Sequence, residues 1–193
     1  APAAYYMTNA SRVFALEVLK GPSAIKSGPH TVGGAINLVT RPVPIDNTAE
    51  IDLTAGSDGY QKLGGAAAYV NGNLAILVEG LQYSSDGFKR LDDGGDTGFE
   101  RNDINLKMRW KPQTKLQQTL TLKLGFADED ADETYLGLAD SDFALDPLRR
   151  YPASQLDRFQ SEHRQIHIGH SMTLESGMDL NTKLYLNEFD RSW

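Results

Sequence analysis

Residues 16–41 read LEVLKGPSAIKSGPHTVGGAINLVTR, and the order of apolar runs, glycines and prolines in this stretch decides how the chain is read. Leu16, Val18 and the aliphatic stem of Lys20 alternate around Glu17 and Leu19, which predicts a short strand. Gly21-Pro22 stops it, because proline has no amide proton with which to continue a ladder. Ser23 is placed to cap a single turn through Ile25, and Gly28-Pro29 forces a second reversal. Gly33-Gly34 then permits backbone torsions closed to other residues, ahead of a second strand over 35–40.

Beyond Arg41 the segment Pro42-Val43-Pro44 suits neither a helix nor a central ladder and reads as an extended linker. A boundary there divides the chain into 1–44 and 45–193. After it the hydrophobic period is two. Ile51, Leu53 and Ala55 alternate with Asp52 and Thr54, and Ile104, Leu106, Met108 and Trp110 with Asn105, Lys107 and Arg109. Leu120, Leu122, Leu124 and Phe126 follow the same rule, although Gln118 interrupts their face, and so do 165–174 and 178–187. The runs 60–70 and 74–83 alternate less cleanly, since Glu79 and Gln82 fall on opposite faces. About seven antiparallel strands result. Asn71-Gly72-Asn73, 111–115 and Ser176-Gly177 are short connectors, whereas 84–100 and 128–161 are long and polar. Short and long alternate once the brief 56–59 turn is counted with the long set.

Composition narrows the class. The 193 residues are 40% hydrophobic with a mean hydropathy of −0.42, and no run approaches the ~18 apolar residues of a membrane-spanning helix. Barrel strands escape that criterion, because their alternation averages out as hydrophilic. A net charge of −7 argues against nucleic acid as a partner, which needs a cationic face. There is no cysteine, so neither disulfides nor thiolate metal sites are available. No phosphate loop, nucleophile elbow or acid/base carboxylate pair is legible, so neither an enzyme nor a cofactor is expected.

The 16–41 segment resembles the closing part of the plug domain of TonB-dependent outer-membrane receptors, which ends in a pattern close to VEVLKGPxxxxYGxxxxGGxINxVTR. Ser27 stands where that family usually has an aromatic residue. The resemblance implies a mainly β fold: the end of a plug (1–44), then the first strands of an incomplete transmembrane barrel (45–193). Such barrels have about 22 strands, so the chain holds roughly a third of one. The opening residues show neither the charged nor the apolar region of a signal peptide, as expected of an internal piece. The implied function is uptake of a scarce nutrient across the bacterial outer membrane, with a ferric siderophore or ferric citrate-like chelate as first choice. The implied partners are that ligand, TonB (whose box is absent from this chain), and outer-membrane lipid and lipopolysaccharide. A soluble all-β binding or adhesion module is the alternative, since sandwich strands alternate too.

Candidate site residues follow from chemistry and from that resemblance. Arg149-Arg150-Tyr151 lies in the 128–161 loop, and arginine's planar fork suits a carboxylate while tyrosine adds an aromatic face. The stretch from Glu133 to Arg158 also resembles an early external loop of iron-chelate receptors. His30 and Thr31 lie at the reversal before the last plug strand, which the family places beneath the external vestibule. The expectation is an anionic chelate between His30 and Thr31 below and Arg149, Arg150 and Tyr151 above. The alternative is that His30 packs on the wall and both arginines stay solvated.

No metal site is expected. On a helix His163, His167 and His170 would share a face, but on a strand His170 points away from the other two. Asp128, Asp130 and Asp132 begin like a calcium loop, yet Glu133 stands where glycine is required and Ala139 where glutamate is. They read instead as a solvated acidic loop.

Overall fold

The computed structural model of the protein describes residues 8–22 and 33–193. The chain divides into two compact units, Ala1–Pro42 and Val43–Trp193.

In the first unit a 3-10 turn, Ala10–Arg12, is capped by the side chain of Asn9, which accepts from the Ser11 amide at 2.9 Å. Strand β1 (Val13–Lys20) pairs antiparallel with β2 (Gly34–Thr40). This hairpin explains the spacing of the quoted stretch. Glu17 lies opposite Asn37, and the Asn37 amide donates to the Glu17 carboxylate at 2.7 Å, so two residues twenty apart in sequence form one cross-strand pair. Gly34 sits at φ +151°, and a Cβ there would stand 2.6 Å from the Leu19 carbonyl oxygen, so only glycine fits where β2 enters the pairing.

The second unit is one antiparallel sheet of seven long strands with two small additions. Its strands are β3 (Thr48–Ala55), β4 (Gln61–Asn71), β5 (Leu74–Ser85), β7 (Phe99–Trp110), β8 (Gln117–Ala131), β10 (Phe159–Thr173) and β11 (Asp179–Ser192). They lie in the order β11-β10-β8-β7-β5-β4-β3, each beside its neighbours in the chain. The additions are β6 (Arg90–Leu91) and β9 (Arg149–Arg150), which pair in parallel, and a short helix, α1 (Asp140–Leu145). The architecture is that of a mainly β, partial barrel.

No register shift interrupts any ladder of the large sheet. Side-chain alternation therefore carries from strand to strand, and the sheet has one apolar and one polar face. Their burial is the reverse of a soluble protein's. The apolar face is exposed: Ile51 is 78% accessible, Leu184 64% and Ile104 55%. The other face buries Glu79, Asp103, Asn105, Lys107, His163 and Gln165, together with Ala75, Leu77 and Leu81. Glu79 thus belongs to the polar face, and Gln118 finds its partner in His170 across the β8–β10 ladder at 3.0 Å.

The strands outrun their apolar stretches. β8 continues to Ala131 and β10 starts at Phe159, so Asp128 and Asp130 belong to a strand, not to the solvated loop that their polarity predicts. On the face that carries Leu120 to Phe126 below, Asp128 accepts from Asn102 at 3.2 Å, and Asp130 holds Arg158 and Gln160. Hydrophobic periodicity cannot register such ends, because the face that is apolar below turns to aspartate and arginine there while the backbone ladder continues. The connecting loops are accordingly shorter than the sequence indicates, at 86–98 and 132–158.

The two loops leave the sheet side by side, joined by a bond from the Asp132 amide to the Gly98 carbonyl at 2.9 Å. A Cβ on Gly98 would overlap the Ser85 carbonyl oxygen. Gly98→Ala is therefore expected to destabilise the protein by about 1–3 kcal/mol, the usual scale of overpacking. A lowered unfolding midpoint of the purified protein checks this.

Candidate functional site

The unbroken register assembles the polar face into rows across β5, β7, β8, β10 and β11. One row is Glu79, Asn105, Gly125, Gln165 and Asn187, and the next is Leu77, Lys107, Lys123, His167 and Tyr185. Lys107 and Lys123 lie directly opposite each other, an unfavourable placement for like charges. Glu79 offsets it from β5, its carboxylate 3.8 Å from the Lys107 ammonium. Toward the long-loop end the rows turn aromatic. Tyr83 meets Phe99 edge-on at 5.6 Å, and Phe159 and Tyr135 both pack on Trp193, at 4.6 and 4.4 Å. His163 and His167 stand on the polar face and His170 on the other, and among the described residues no group of three ligating side chains could hold a metal ion.

The long loops carry the densest polar chemistry. β6 of one loop pairs with β9 of the other, with backbone bonds from the Arg90 amide to the Leu148 carbonyl (2.7 Å) and from the Asp92 amide to the Arg150 carbonyl (3.1 Å). Arg149 donates to both oxygens of Asp92, through Nε at 2.9 Å and Nη2 at 2.8 Å. Its Nη1 lies 3.2 Å from Asp142, and its guanidinium stacks 5.0 Å above the Tyr151 ring. Tyr151 donates to Asp142 and accepts from the Ala139 amide. Arg90 bonds both oxygens of Asp146 at 2.9 Å.

Arg150 points the other way, as strand neighbours do, and is 6% exposed. It donates to the Ser154 hydroxyl at 2.8 Å, the Ser154 carbonyl at 2.6 Å, and the carbonyls of Asp132 and Asp157 at the two ends of the loop. The structure thus separates the two arginines that the sequence sets side by side. Arg149 and Tyr151 share one cluster with Asp92 and Asp142, while the donors of Arg150 are spent inside its own loop. His30 and Thr31 lie outside the described residues. Sequence reasoning missed Arg90, Asp92, Asp142 and Asp146. Asp92 and Arg149 are far apart in the chain, and no local spacing links them.

No protein-family profile matches the chain. Over 97 residues it is 31% identical to the vitamin B12 transporter BtuB of Photobacterium profundum, an alignment covering 46% of this chain and 15% of that protein. The chain therefore spans only a small part of that relative's length. This similarity supports the TonB-dependent receptor family, the one that residues 16–41 resemble.

Hydrogen bonds from Arg149 hold the Asp92 carboxyl below the usual carboxylate range, and those from Arg90 do the same for Asp146. Arg149 also faces Asp142, Asp146 and Tyr151. Because both folded-state values are depressed, the stabilisation is complete above the unfolded carboxylate value of about 4 and is lost as pH falls below it. A spin label placed by Asp96→Cys should keep one mobility from pH 8 to pH 5 and gain mobility below about pH 4.

Arg150→Ala removes several bonds at the neck of the 132–158 loop, where one charge-assisted bond contributes about 1.5–3 kcal/mol. Faster proteolytic cleavage within 132–158 is expected, with the strands still protected.

Proposed function

We propose that the chain is part of a TonB-dependent outer-membrane receptor that captures a scarce nutrient. The observation that carries this reading is the exposed apolar face of the sheet, set against a buried face that holds Glu79, Asp103, Asn105, Lys107, His163 and Gln165. That pattern suits a wall between lipid and a polar lumen, with the short turns on the periplasmic side and the long loops outside. The similarity to a vitamin B12 transporter supports it from a separate direction. In this reading the apolar face meets outer-membrane lipid, the polar strand ends meet lipopolysaccharide, and TonB energises the intact protein.

Two ligand classes have an observation in their favour. A ferric siderophore or citrate-like chelate suits Arg149 with Tyr151, whereas Arg150 is turned into its own loop, and His30 and Thr31 are candidate contacts by chemical type alone. Vitamin B12 is favoured by the relative. The alternative, a soluble all-β binding or adhesion module, would need no lipid-facing wall.

Fractionation and binding test the proposal. The intact protein should sediment with outer membranes and require detergent, and recovery as a soluble monomer would refute the receptor reading. Titration of the purified receptor with ferric citrate, a ferric hydroxamate and vitamin B12 separates the ligand classes. If a ferric chelate binds, Arg149→Ala and His30→Ala should each weaken it roughly tenfold or more, the scale of one charge-assisted bond. Unchanged affinity in both variants would remove this site while leaving the receptor reading intact.

A further inference from the structure

The geometry points to a single rigid body made of the loops 86–98 and 132–158, locked together by two reciprocal arginine–aspartate pairs. Each loop gives one cation and one anion to the other. Arg90 of the first grips Asp146 of the second, and Arg149 of the second grips Asp92 of the first. Arg149 engages both Asp92 oxygens through two nitrogens, which fixes orientation as well as distance, while Arg90 reaches both Asp146 oxygens through Nη2 alone.

Between them runs the two-residue parallel bridge, and Lys89 adds a bond from its ammonium to the Pro147 carbonyl at 2.8 Å. Parallel pairing of two residues cannot hold by itself, since a short ladder gains little against the entropy of ordering both loops. The reciprocal pairs supply what the bridge lacks.

Arg150 completes the device at the neck. Its guanidinium reaches carbonyls at Asp132 and Asp157, the two points where the second loop leaves and rejoins the sheet. The second loop is thus closed on itself by one arginine and tied to its neighbour by the next. The two loops are therefore one lid rather than two independent flaps.

This inference rests on the receptor reading only in placing the loops over a ligand. Its test needs neither ligand nor transport, so the two fail separately. Spin labels at Asp96→Cys and Ala144→Cys, one on each loop and both exposed, report the inter-loop distance by pulsed electron resonance in the intact protein. One narrow distance peak is expected in the otherwise native protein. Asp92→Arg, which sets two guanidinium groups face to face, should abolish that peak. Asp92→Asn, which removes the ion pair without adding a like charge, should broaden it as well. A broad distribution in the native protein, or a peak that survives Asp92→Arg, would overturn the single-body assignment. A peak as narrow in Asp92→Asn as in the native protein would also overturn it, because the pairing would then not be what joins the loops.

Discussion

The structure of the larger unit depends on one constraint, an antiparallel register that runs without a slip through seven strands. Because side chains alternate with a period of two, a shift of one residue in any ladder would send every later strand's apolar set to the opposite face. The ladders from β3 to β11 keep their pairing throughout. From this follow the continuous apolar face, the polar rows on the other side, and the gathering of the long connectors at one end. The same register brings Lys107 against Lys123 and supplies Glu79 from the next strand.

Polarity does different work at different heights on the sheet. In the middle it separates the two faces. Toward the long loops the face that is apolar below becomes polar, and the ladder is joined there by side-chain pairs such as Asn102–Asp128 and Arg158–Asp130. Beyond the strands, polar groups form the structure itself. The loops contain apolar residues, but Leu145 and Leu156 are exposed, so the fold of 132–158 relies on Arg149, Arg150, Asp142 and Tyr151 more than on a core. An element held this way answers to pH and charge substitution more readily than one held by packing.

The 16–41 stretch illustrates how a pattern legible in sequence acquires its physical cause. Its paired strands and its glycines could be read from spacing alone. The Glu17–Asn37 hydrogen bond and the close approach of Leu19 to Gly34 show why those residue types stand there: a cross-strand partner in the first case, a missing side chain in the second.

The sequence by itself determined the β class, the seven strands with their two faces, and the alternation of short and long connectors. Those features are written in a period of two and in local turn chemistry, which involve only neighbours in the chain. It set the strand ends short at Asp128 and Asp130, because the apolar alternation stops where that face turns polar. At the candidate site it marked Arg149, Arg150 and Tyr151 by chemical type, but not their different tasks. Only the tertiary structure decided that Arg150 turns inward to close its own loop while Arg149 reaches Asp92 across a distant part of the chain. The physical reason is that hydrogen bonding between loops is set by where the sheet delivers their ends, and that depends on every ladder between them.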